Sequence, residues 1–170
     1  VLDFLIEKGA IVKREDLLYA VTKWNRHAIT RLLAQGFNIN DVSKDGSNYV
    51  LTTIKESLRR DYQRQYDFRT IIKFLVDQGL DVNAKTDQGT TLLMELVRRG
   101  DYQSRDLLES LLECGANHNL TNNEGETALM ILKRRIKDDS SAGGDQEEML
   151  EILESKIDRG GYLGISSYVK

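Results

Sequence analysis

The chain is predicted to be an all-α repeat solenoid: a stack of antiparallel helix pairs joined by short β-hairpin-like fingers. Three observations predict it. Glycines stand ten positions apart in three brackets, Gly36 to Gly46, Gly79 to Gly89 and Gly115 to Gly125. Each bracket follows an apolar helical edge, such as Leu32-Leu33, Phe74-Leu75-Val76 and Leu111-Leu112, and carries an asparagine four residues after its first glycine: Asn40, Asn83 and Asn119. The third observation is composition. Apolar residues make up 40% of the 170 but aromatics only 7%, which suits thin aliphatic helix layers that need only their neighbours.

The bracket around Gly79 shows the local logic. A glycine after Phe74-Leu75-Val76 tolerates the left-handed conformation in which helices end. Leu80 to Asn83 alternates apolar and polar, the pattern of a brief extended segment. Asp87-Gln88-Gly89 is turn chemistry. Thr91 then precedes Leu92, Leu93, Met94 and Leu96, so its hydroxyl is placed to cap the open N–H groups of a new helix.

This grammar resembles the ankyrin repeat, a unit of about 33 residues with a turn and two helices. Gly79-Leu80-Asp81-Val82-Asn83 and Gly115-Ala116-Asn117-His118-Asn119 are similar to that family's finger. Thr91-Leu92-Leu93-Met94 and Thr127-Ala128-Leu129-Met130 keep its Thr and Leu but replace its Pro and His, and Asn48-Tyr49-Val50-Leu51 departs further. The chain has no proline at all, so its helices open without the residue that usually starts them in this family. The resemblance covers roughly residues 1–157. It implies a protein-binding module that grips another protein with its concave face, formed by finger tips and inner helices.

Taken in order, residues 1–9 read as the second helix of an incomplete repeat, and repeats follow at 10–42, 43–85, 86–121 and 122–157. In the first, Glu15 to Lys23 and Ala28 to Ala34 are the helices, with Trp24 in the turn between them either roofing it or offering an anchor to a partner. The finger before them, Ala10 to Arg14, is too short for a full hairpin. In the second, Asn48 to Arg60 and Phe68 to Gln78 are helical. Gly46 to Gly79 spans 33 residues where the resemblance implies about 23, so the charged stretch 59–67 is an insertion at the helix–helix turn. Thr91 to Arg99 and Ser104 to Cys114 form the third pair, and Thr127 to Lys137 and Glu147 to Ile157 the fourth. The polar run 138–146 reads as a loop. Residues 158–170 fit no repeat and are read as a tail.

Charge and motifs narrow the function. A net charge of −3 argues against a general nucleic-acid binder, which needs a basic excess. One cysteine, Cys114, excludes an internal disulfide and an all-cysteine metal site and suits a reducing, cytoplasmic setting. No apolar run reaches the ~20 residues that cross a bilayer, and Val1 to Ile6 is too short for a signal peptide. The start on Val1, inside a helix, reads as a piece of a longer protein. The histidines, His27 near the first turn and His118 in a finger, are about three repeats apart and cannot share a site, and His118 reads as a local packing or hydrogen-bonding residue. No nucleotide-loop, metalloprotease, nucleophile-elbow or calcium-loop string is present. The expectation is therefore no enzyme, no catalytic residues, no metal and no cofactor.

One pattern does recur. Arg98-Arg99 and Arg134-Arg135 stand nine and ten residues after Gly89 and Gly125, and Lys55-Glu56 hold those offsets from Gly46. The finger tips carry Asp87, Gln88, Glu124 and Glu126 beside this basic strip. By resemblance, the candidate partner-binding residues are Lys55, Asp87, Gln88, Arg98, Arg99, Glu124, Glu126, Arg134 and Arg135, with Trp24 apart from them. An acidic segment of another protein suits the arginines, which pair carboxylates bidentately. The alternative is an inhibitory, immunity or regulatory domain of a larger enzyme or effector. Helix C-termini also favour cations with no ligand present.

Overall fold

The computed structural model describes residues 8–44, 46–60, 65–138 and 144–163. The incomplete helix expected over 1–7, Asp45, the centre of the insertion at 61–64, the loop over 139–143 and the end of the tail at 164–170 lie outside the described residues, as does the Lys55 side chain. Eight helices are present among the described residues: α1 (Arg14–Thr22), α2 (Arg26–Leu33), α3 (Tyr49–Arg60), α4 (Gln65–Asp77), α5 (Leu92–Arg99), α6 (Tyr102–Glu113), α7 (Ala128–Asp138) and α8 (Gly144–Leu163). They follow one another as helix pairs, and the chain is an all-α repeat solenoid. It divides into two compact units, Val1–Asp87 and Gln88–Lys170.

In the first unit α1 packs on α2 and on α3. Its core is aliphatic: Leu17, Ala20, Val21, Ile29, Leu32, Val50, Ile54, Ile71, Ile72 and Leu75 are all buried. In the second unit α5 packs on α6 and α7, and α8 packs on α6 and α7. Leu93, Met94, Leu96, Val97, Leu107, Leu108, Leu111, Ile131, Leu132, Met149 and Leu153 fill it. A buried Leu or Ile contributes about 2 kcal/mol, and no single pair could bury its own flank.

Thr91 caps a helix as its sequence predicts, and Asn48 and Thr127 do the same. The residue two after each second bracket glycine is the N-cap in all three copies. Leu51 N–H donates to Asn48 Oδ1 at 2.9 Å, Met94 N–H to Thr91 Oγ1 at 3.4 Å and Met130 N–H to Thr127 Oγ1 at 3.3 Å. The ends are closed by backbone that the first bracket glycine permits. Leu80 N–H reaches Leu75 O and Ala116 N–H reaches Leu111 O, both at 2.9 Å, with Gly79 and Gly115 left-handed between them.

The fingers are built from side-chain turns rather than from strand pairing. Asn38, Asp81 and Asn117 each accept the N–H two residues on, from Asn40 at 2.9 Å, Asn83 at 2.8 Å and Asn119 at 2.9 Å. That bond bends the segment expected to be extended at Leu80 to Asn83. Val42–Asn48 is the one β-bridge among the described residues. The tips close at a common offset, Ser43 N–H to Ser47 O at 2.9 Å and Asn122 N–H to Glu126 O at 3.0 Å.

Two features depart from the expected pattern. Trp24, in the α1–α2 turn, is left-handed with φ 55, a conformation that costs a non-glycine residue about 1 kcal/mol. Gly100 takes that place between α5 and α6, with φ 60. The last helix also runs longer than the expected Glu147 to Ile157, beginning at Gly144 and continuing to Leu163 into the segment read as tail. The reason lies in one position. Four residues after buried Leu32, Leu75 and Leu111 stand Gly36, Gly79 and Gly115, but four after buried Leu153 stands Ile157, which does not stop a helix.

The brackets are not equally tolerant. A Cβ on Gly36 would meet open space, whereas one on Gly89 would lie 2.9 Å from the Asn123 backbone nitrogen, and both glycines have positive φ. Gly36→Ala is expected to cost about 1 kcal/mol from backbone strain alone. Gly89→Ala is expected to cost about 2–4 kcal/mol, because overpacking adds to it. Urea unfolding of both variants measures the difference; equal losses would contradict the close approach.

Candidate functional site

The recurrent arginines end two helices that lie side by side. Arg98 and Arg99 close α5, Arg134 and Arg135 lie near the end of α7, and α5 packs on α7. Arg98, Arg134 and Arg135, together with Ile131 and Asp138, line an open groove of about 320 Å³. Arg99 is not among its lining residues.

Arg99 instead serves the turn. Its Nε and Nη2 donate to Asp101 Oδ2 at 3.2 and 2.8 Å. Asp101 is in turn the N-cap of α6, accepting from Ser104 N–H at 2.9 Å and from the Ser104 hydroxyl at 2.5 Å. Burial pushes the Asp101 carboxyl up. The Ser104 and Arg99 hydrogen bonds and the Arg99 charge outweigh that push and hold it below the ordinary carboxylate value.

Arg135 is half committed to structure as well. Its Nη1 donates to the Arg98 carbonyl at the end of α5, and its Nε lies buried beside Gly100 with no hydrogen-bond partner among the described residues. Gln146, at the start of α8, packs against the same glycine. Gly100 therefore lets the end of α7 and the start of α8 reach the α5–α6 turn. Nearby, Arg105 of α6 pairs with Glu148 of α8 and, at 2.9 Å, with Asp106. Those two carboxylates hold its guanidinium protonated more firmly than usual.

Arg98 and Arg134 are the two groove arginines with side chains available. Arg98 lies 3.6 Å from Glu95, and Arg134 lies 3.1 Å from Glu126 with 55% of its side chain exposed. Glu126, read from the sequence as part of an acidic fringe, is thus the internal counter-ion of the strip. Buried Asn122 holds it there: its Nδ2 donates to Glu126 Oε2 at 3.2 Å, and its Oδ1 accepts from the N–H groups of Glu124 and Glu126. Glu124 and Gln88 are exposed on the fingers, and within this unit the Gln88 carbonyl accepts from Asn123 N–H at 3.1 Å.

The other candidates lie elsewhere. Asp87, exposed, belongs to the first unit, as do Trp24, half-buried, and Lys55 of α3. The groove therefore unites Arg98, Arg134 and Arg135, with Glu126 against Arg134. Sequence reasoning missed Ile131, Asp138 and Glu95. The offset signal was present for two of them, since Glu95 and Ile131 both stand six residues after their bracket glycine. Asp138 had been read as the first residue of a loop, and the helix carries it to the groove.

Among the described residues no group of three or more His, Cys, Asp or Glu is placed to hold a metal ion, and no helix is long and apolar enough to cross a membrane. His27 and His118 fall in different units.

As a sequence, the chain matches no established family profile and no curated protein. Its structure is similar to solved ankyrin repeat domains. One is that of Bcl-3, described as a unique member of the IkappaB protein family: TM-score 0.58, 22% identity, covering 81% of this chain and 50% of that one. Another is the human ASB11 ankyrin repeat domain: TM-score 0.51, 23% identity, covering 82% and 53%. The chain has the ankyrin-repeat fold. It spans about half the length of these two structures.

Asp101 makes the α5–α6 turn sensitive to acid. Its carboxyl is depressed in the folded state, so its contribution is full above the unfolded value near 3.9 and is lost as pH falls through the folded value. The wild-type urea midpoint is expected to drop more steeply between pH 5 and pH 3 than that of Asp101→Asn. Parallel curves would contradict the assignment.

Proposed function

We propose that the chain is a protein-interaction module without catalysis of its own, and that the groove of the second unit receives an acidic segment of a partner protein. The observation that carries this reading is the convergence of Arg98, Arg134 and Arg135 around one groove. The ankyrin-repeat likeness supports the general class, since such folds serve as binding surfaces; fold by itself does not name a partner.

The chemistry follows from the two available guanidiniums. An incoming carboxylate pairs with Arg98 or Arg134 by exchanging places with Glu95 or Glu126. The net gain is then modest, because an exposed ion pair contributes about 0–1 kcal/mol and here one pair replaces another. Specificity comes from spacing: a segment that satisfies both arginines at once must carry carboxylates matched to α5 and α7. Salt should weaken such binding, since the rim is open to solvent. Arg99 and Arg135 act as supports in this reading, the first through Asp101 and the second through the Arg98 carbonyl. Trp24, Asp87 and Lys55 are assigned no part in it.

The test is capture of partner proteins by the 170-residue chain and by Arg98→Glu/Arg134→Glu, with a labelled peptide of alternating Glu and Leu as a defined probe. The double variant should keep the wild-type circular dichroism and melting temperature while its affinity for the probe falls at least tenfold. Lys73→Glu, on α4 of the first unit, should bind as wild type. Equal binding by the double variant, or none by the wild type, would refute the groove as an acidic-segment site.

A further inference from the structure

The Gly100 turn holds two polar groups that it does not satisfy. Arg135 Nε lies 2.7 Å, and the Gln146 amide carbon 3.2 Å, from the place a Cβ on Gly100 would take. The Nε–H is a donor and Gln146 Oε1 an acceptor. Both atoms are buried, and neither meets a partner among the described residues. Gln146 is only 5% exposed. Two groups of opposite hydrogen-bonding sense thus share one seat without a bond, and each has lost its water without replacement.

Arg135 also stands apart in charge. Arg98 has Glu95, Arg99 has Asp101, Arg105 has Asp106 and Glu148, and Arg134 has Glu126. No carboxylate pairs with Arg135 among the described residues, and its bond to protein runs from Nη1 to the Arg98 carbonyl. A carbonyl at a helix end can take water instead. Arg98 or Arg134 meets an incoming carboxylate by giving up another. Arg135 has none to give up, so it gains a whole charge-assisted pair by leaving its seat.

The side chain has a place to go. Arg135 lines the open groove as well as the turn, so rotation of its flexible stem carries the guanidinium from one to the other. The body of α8 is held independently. Met149 and Leu153 are wholly buried, Glu148 pairs with Arg105 of α6, and Glu154 pairs with Lys133 of α7 at 2.8 Å. The first turn of α8, with Gln146, is the part that shares the Gly100 seat.

We propose that Arg135 is a latch between the groove and α8: an acidic group entering the groove draws the guanidinium out of the Gly100 seat and loosens the first turn of α8. The latch rests on the acidic-segment reading of the groove. In the free chain Arg135 supports the turn; with ligand bound it becomes a third arginine on the acidic segment. Coupling between two sites is reciprocal, so whatever evicts Arg135 from the seat strengthens binding in the groove.

NMR of the 170-residue chain, titrated with the peptide of alternating Glu and Leu, tests this. At saturation the Arg135 Nε–H and the Gln146 side-chain amide resonances should both shift. The amides of Glu148 and Met149, which close the first turn of α8, should exchange with water at least threefold faster. Gly100→Ala places a methyl group on the seat. Its Arg135 Nε–H should resonate away from the wild-type position before any peptide is added, and the probe should bind at least threefold tighter although the variant melts lower. A variant that merely disturbed the turn would bind more weakly. Peptide that binds while the Arg135 and Gln146 resonances stay in place would overturn the latch and leave the groove reading intact; no binding by the wild type would remove both. Weaker or unchanged binding by folded Gly100→Ala would also overturn the latch. Should that variant fail to fold, the wild-type titration decides alone.

Discussion

A helix pair of this chain cannot bury its own apolar flank, and every other feature answers to that constraint. Leu32, Leu75, Leu111 and Leu153 are each almost wholly buried, and each belongs to the second helix of a pair. Their burial needs neighbouring helices at a fixed spacing. The fingers maintain that spacing, and the left-handed glycines let the chain turn from helix to finger without displacing the leucines.

The constraint also explains where charge can sit. The first helices of the pairs bury one face against their neighbours and leave their ends at the surface, so arginines gather at helix C-termini, where the backbone carbonyls favour them. The protein uses that preference in two ways. Arg99 and Arg135 are spent on closing turns, through Asp101 and through the Arg98 carbonyl. Arg98 and Arg134 keep exposed surface and carry only exchangeable internal carboxylates. The groove and the struts that hold it thus come from one repeated dipeptide, and their neighbours separate the roles.

Much of the fold was legible in the residues. Thr91, Thr127 and Asn48 announced helix starts, because capping is a local bond between a side chain and an N–H three residues on. Gly79 and Gly115 announced helix ends, because the left-handed turn depends on the absence of a Cβ. The fingers were read as extended, yet Asp81, Asn38 and Asn117 bend them, an error of competing local chemistry: alternation and side-chain turns share the same few residues. The length of α8 was also misjudged. Ile157 in place of a glycine was visible, but residues 158–163, with their two glycines, looked unlike a helix.

Local bonds were therefore decided by sequence alone: the bracket spacing, the caps, the order of helix pairs and hence the repeat class follow from residues within a few positions of each other. The tertiary structure alone decided which arginines line the groove. Arg98 and Arg99 are adjacent in the chain and alike in chemistry. They differ because α7 brings Arg134 and Arg135 beside one of them, while the turn to α6 places Asp101 against the other. Gly100 joins that decision by admitting Arg135 and Gln146 from distant helices. Contacts of this kind depend on which elements stack together, and no spacing within one repeat encodes them.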